Sequence, residues 1–76
     1  MQYHLLIFES SHQVMRADHI LMQQGMKFDL IPTPKQFSSD CGLSIRCGLE
    51  KGEAEAIVQL LLSHGLKFRE ADSDMP

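Results

Sequence analysis

The hydrophobic pattern opens with a continuous apolar run in HLLIFES (residues 4–10), which predicts a strand covered on both of its faces. Ser10 or Ser11 then offers a helix cap. The period changes at this point. Val14, Ala17, Ile20 and Leu21 fall within about one third of the circumference at about 100° per residue, while His12, Arg16, His19 and Gln23 lie opposite. The same stripe returns later, with Ala54, Ile57, Val58, Leu60 and Leu61 on one side and Glu55, Gln59 and Ser63 facing water. KFDLIP (27–32) and KFREAD (67–72) read as strands with polar interruptions, and Pro32 removes a backbone donor, which suits an edge strand. LSIRCG (43–48) alternates, with Leu43, Ile45 and Cys47 on one face and Ser44 and Arg46 on the other.

ILMQQGMKF (20–28) and LLLSHGLKF (60–68) align at a constant offset of forty, with Leu21/Leu61, Gly25/Gly65, Lys27/Lys67 and Phe28/Phe68 identical. Each half of the chain therefore ends in the same way: an amphipathic helix, a Gly where the backbone needs positive φ to leave it, and a strand. Two such units in the order strand, helix, strand, strand, helix, strand give an α+β fold, the ferredoxin-like βαββαβ sandwich, with a four-stranded antiparallel sheet carrying both helices on one face. The first and third strands are expected at its centre and the broken ones at its edges. Residues 1–72 are expected to form this single domain, and 73–76 a disordered tail.

Composition narrows the function classes. The chain has 76 residues, 43% apolar, with no run approaching the roughly 20 apolar residues of a membrane helix. Its N-terminus, MQYHLLIFESS, lacks a basic region and reads as the first strand of a cytoplasmic protein. The formal charge is −3 with seven scattered Lys plus Arg, so neither nucleic acid nor an anionic membrane surface is an expected partner.

Both cysteines lie in FSSDCGLSIRCG (37–48), six residues apart. Along an extended strand that spacing is about 20 Å, whereas a disulfide needs Cα atoms within about 7 Å. The same distance disfavours a metal held by both, and His12 and His19, seven apart on a helix, do not supply one; no metal and no cofactor is expected. Cys47, in line with Leu43 and Ile45, reads as a small buried hydrophobe. Cys41 ends a long polar connection, PTPKQFSSDCG (32–42), beside Gly42, which leaves room for another group to approach. It is either a loop cysteine without a role or a reactive thiol. A thiol acts as its thiolate, which nearby positive charge favours, and Arg46, Lys35 and a helix N-terminus are the available candidates. Phe37, beside the thiol in sequence, is either a partner anchor or a side chain folded back on the core. No acid, base or substrate pocket accompanies the nucleophile, which fits a carrier better than an enzyme.

The run IFES, then LIPTP, then SSDCGLSIR resembles a small bacterial family of putative selenium/sulfur carrier-like proteins, some of them joined to TusA-like sulfur carriers. The resemblance rests most on Pro32-x-Pro34, Ser39-x-Cys41-Gly42 and Arg46. It implies that Cys41 holds sulfur or selenium as a persulfide or perselenide, that Ser39, Gly42 and Arg46 shape the site, and that the partners are sulfur or selenium donor and acceptor proteins. Cys47 is not part of the family pattern. The rival expectation is a small-ligand-binding or regulatory dimerisation module, a possible homodimer, with no thiol chemistry. A soft-metal chaperone is the third, and it lacks the paired cysteines such a protein needs.

Overall fold

A computed structural model describes residues 2–37, 42–48 and 52–74. Its elements run β1 (Gln2–Ile7), α1 (Ser11–Gln23), β2 (Asp29–Pro32), β3 (Leu43–Cys47), α2 (Glu53–Ser63) and β4 (Arg69–Asp74). The strands form one sheet in the order β2-β3-β1-β4, every neighbouring pair antiparallel. This is the expected ferredoxin-like sandwich, with β1 and β3 central and β2 and β4 at the edges.

One side of the sheet carries both helices. Leu6 and Phe8 from β1 and its exit, and Ile45 and Cys47 from β3, pack there against Val14, Ala17, Ile20 and Leu21 of α1 and Ile57, Val58 and Leu61 of α2. The helical stripes are those the 3.6-residue period predicts. Phe8 is fully buried and its ring meets that of Phe68 at 5.4 Å between centroids. On the opposite side Tyr3, Leu5 and Ile7 form a second buried cluster, joined by Ile31, Phe37 and Ala71. β1 is thus covered from both directions, which is why its sequence carries no polar alternation.

The duplicated unit is visible in the hydrogen bonds. The Met26 amide donates to the Leu21 carbonyl at 3.1 Å, and the Leu66 amide to the Leu61 carbonyl at 3.2 Å. Gly25 (φ 67) and Gly65 (φ 80) sit between, in the left-handed region that lets each helix turn back on itself. At the central strands the offset falls to thirty-nine: Leu6 corresponds to Ile45 and Phe8 to Cys47, since these are the residues that face the helices.

Element boundaries shift by small amounts for identifiable reasons. β1 begins at Gln2 and ends at Ile7, because Ser10 leaves the strand so that its hydroxyl accepts from the Gln13 amide at 3.3 Å and caps α1. β2 and β4 begin two residues later than expected, since the helix-ending turns hold the chain through Met26 and Leu66. β4 continues to Asp74, past the boundary expected at residue 72, because Gln2 and Tyr3 pair with Asp74 and Ser73.

Candidate functional site

The candidate site is built around the connector from Thr33 to Gly42. Its root is an extension of the β2–β3 ladder: Pro32 faces Leu43, and beyond them the Thr33 amide donates to the Gly42 carbonyl at 2.9 Å. The Thr33 hydroxyl and the fully buried Ser44 hydroxyl lie 2.7 Å apart. Burial of a hydroxyl costs about 1–3 kcal/mol when it finds no partner, so Thr33 and Ser44 satisfy one another beneath the loop. The connector then turns, with the Phe37 amide donating to the Pro34 carbonyl at 2.9 Å. Pro32, Thr33, Pro34 and Gly42 are therefore held together by strand pairing and one tight turn.

Phe37 folds back. Its side chain packs on Tyr3, Leu5 and Ile7, so this aromatic belongs to the core of the helix-free face. Gly42 has φ +72, and a Cβ placed on it would meet nothing within 4 Å. Its glycine requirement is thus one of backbone conformation, and the space beside it is open.

Ser39 and Cys41 lie outside the described residues. The described part of the site comprises Pro32, Pro34, Gly42 and Arg46. Arg46 stands apart from the other three. It is opposite Asp29 at the far end of the β2–β3 ladder, four strand residues or about 13 Å from Gly42. Its guanidinium donates to Asp29 Oδ2, from Nη2 at 2.6 Å and Nε at 3.2 Å, and lies over the Tyr3 ring at 5.7 Å. Lys35 is an exposed cation of the connector itself.

Cys47 is the buried thiol its strand position predicts, 1% exposed, on the helix side of the sheet. Burial raises its pKa, and Glu53 and Glu70 add to the rise, taking it to about 11. At neutral pH it is protonated and a poor nucleophile. It is a free thiol.

A second charged cluster escaped sequence reasoning. His4 sits on β1 with both ring nitrogens engaged: Nδ1 lies 2.6 Å from Asp72 Oδ1 and Nε2 2.8 Å from Glu70 Oε1. Ionised carboxylates only accept, so both contacts are hydrogen bonds together only when the ring carries both protons, as an imidazolium. Burial works against that charge, and the two hydrogen bonds and two neighbouring negative charges outweigh it, leaving the His4 pKa raised. The signal available in the sequence was the i, i+2 pair Glu70 and Asp72 on one face of an edge strand; only the register says that His4 is opposite. Among the described residues no group of three or more His, Cys, Asp and Glu side chains is arranged to hold a metal ion. Among them, too, no helix is long and apolar enough to cross a membrane.

Compared with models of known protein families, residues 3–71 match the one described as "Putative Se/S carrier protein-like". No curated protein and no solved structure matches the chain.

Proposed function

This chain belongs to the putative Se/S carrier protein-like family, and from that premise we propose that it carries sulfur or selenium between proteins on Cys41. What supports the reading is the state of the other thiol. Cys47 is sealed in the core with a pKa near 11 and is unfit for exchange, while Cys41 belongs to a connector whose root is fixed by Thr33, Ser44 and Gly42. A fixed root with open space at Gly42 supports approach by another protein's reactive group.

In the proposed step the Cys41 thiolate attacks the outer atom of a donor persulfide or sulfur-bound selenide. A bond forms between Cys41 Sγ and that atom, the donor's bond to it breaks, and the donor leaves as its thiolate. An acceptor thiolate repeats the displacement and restores Cys41. No net oxidation occurs, and no acid–base machinery beyond solvent is required at neutral pH. Lys35, an exposed cation of the same connector, is the candidate for favouring the thiolate and the anionic cargo. The partners are the donor and acceptor proteins, the activity is carriage and not turnover, and the setting is the reducing cytoplasm, which keeps the unloaded Cys41 as a thiol.

The test is transfer of isotopically labelled sulfur from a cysteine desulfurase, through this chain, to an acceptor thiol. Cys41→Ser abolishes it and Cys47→Ser retains it. A ligand-binding module would tolerate Cys41→Ser, so unchanged function in that variant overturns the carrier reading.

A further inference from the structure

The two halves of the chain provide an internal control for the sheet's edges. β2 and β4 are equivalent strands of the duplicated unit, each following the same helix exit and the same Lys-Phe pair. Their outer residues are not equivalent. β4 carries Arg69, Glu70 and Asp72, a row of charge of the kind that guards an edge against pairing with another chain. At the matching positions β2 carries Asp29, Leu30 and Pro32, and Asp29 is already paired with Arg46. Where β4 has Glu70, bound to His4, β2 has Leu30 at 39% exposure.

The grooves beside the two edges differ in the same sense. The one at β4, lined by Glu9, Lys67, Phe68 and Arg69, holds about 130 Å³. The one at β2 holds about 530 Å³, and Met22, Met26, Phe28 and Leu30 give it an apolar floor. Met22 is 67% exposed, and this apolar floor, rimmed by Asp18, Lys27 and Asp29 and lying beside the edge, has the make-up of an interaction surface.

We propose that β2 is the edge through which two copies of this chain associate, strand to strand and antiparallel, about a two-fold axis at Leu30. The backbone supports this occupant. Thr33 bonds inward to Gly42, so by alternation Ile31 and Asp29 also bond inward, and the amide and carbonyl of Leu30 and the carbonyl of Pro32 face outward. With Leu30 opposite Leu30 of the second copy, the two residues exchange a reciprocal pair of hydrogen bonds. Pro32, which has no donor, ends the ladder at both sides, and that limits pairing to a second short strand of the same kind. Charge selects the orientation. Antiparallel pairing sets Asp29 against Ile31 of the second copy, whereas parallel in-register pairing would stack Lys27 on Lys27. The Leu30 and Phe28 side chains of each copy then enter the groove of the other, on the helix side of the sheet. This inference is independent of the thiol chemistry.

Sedimentation equilibrium of the full chain tests it. The native protein sediments at twice its 8.6 kDa chain mass, and Leu30→Lys sediments at one chain mass with an unchanged far-UV circular dichroism spectrum, since Leu30 lies at the surface. The pairing itself is read by Leu30→Cys in a Cys41→Ser background. Opposed residues of a bonded antiparallel pair have Cα atoms about 5.5 Å apart, within disulfide range, so diamide converts this variant to a covalent dimer. A native chain that stays monomeric at about millimolar concentration overturns the proposal. So does a Leu30→Lys dimer, or a dimer in which the introduced cysteines fail to cross-link.

Discussion

Thr33 and Gly42 face one another across the mouth of the connector, the Thr33 amide donating to the Gly42 carbonyl at 2.9 Å while the Thr33 hydroxyl meets the buried Ser44 hydroxyl at 2.7 Å. One residue therefore fixes both the entry to the loop and the strand beneath it. Replacing it with valine keeps the shape and the amide bond and removes the hydroxyl, which leaves Ser44 buried without this partner. The expected cost is about 1–3 kcal/mol, read from urea denaturation of Thr33→Val, and Thr33→Ser restores most of it. A Thr33→Val chain as stable as the native one contradicts this account of the loop's root.

The His4 clamp gives the fold a pH dependence. The folded His4 pKa lies above its ordinary value of 6.5, so the clamp's stabilisation is fully present below about pH 6.5 and is lost as pH rises through the folded value. The groups facing His4 are Glu70 and Asp72 from β4, with Cys47 in register beside it on β3. The melting temperature of the native chain should exceed that of His4→Gln most at about pH 6, and the gap should narrow by about pH 8. A gap that widens with rising pH contradicts the imidazolium assignment.

The buried thiol should be silent until the core opens. With its pKa near 11, Cys47 presents about one thiolate in a thousand at pH 8, and its side chain is shielded from reagents as well. Iodoacetamide at pH 8 should leave the Cys47 peptide unmodified in the native protein and label it fully in guanidinium chloride. Labelling of native Cys47 at the rate of an exposed thiol would show that the helix-side core is not closed.

Arg46 and Lys35 should separate by their effects on Cys41. Arg46 is bound to Asp29, and about 13 Å of strand lies between it and Gly42, more than one Debye length of about 8 Å at physiological salt. Arg46→Gln should cost at most about 1 kcal/mol of stability, since its partner is 60% exposed, and should move the pH midpoint of Cys41 alkylation less than Lys35→Gln does. The reverse order would return Arg46 to the thiol's immediate electrostatics.

The fold was legible because two signals in the sequence are local. The helical stripe Val14, Ala17, Ile20, Leu21 and the repeat that ends in Gly-x-Lys-Phe need no knowledge of distant residues, and both appear in the structure as read. Strand order followed from the βαββαβ topology, and the continuous apolar run of β1 and the broken edge strands agreed with it. Phe37 could not be placed, because its destination depends on a loop crossing the helix-free face, and that crossing is set by tertiary packing on Tyr3, Leu5 and Ile7. His4 was missed for a related reason: its partners are 66 and 68 residues away, and only the β1–β4 register brings them to it. Grouping Arg46 with Gly42 rested on family pattern, and a motif written along one strand does not show that its ends are at opposite ends of a ladder. Ser39 and Cys41 fall outside the described residues, so the candidate thiol itself rests on sequence.

Peptide mass spectrometry after incubation with a cysteine desulfurase and either cysteine or selenocysteine measures the central claim most directly. The account predicts a sulfur or selenium adduct on the peptide containing Cys41, none on the peptide containing Cys47, and loss of the adduct in Cys41→Ser. Equal labelling of both cysteines, or no adduct on Cys41, would contradict it.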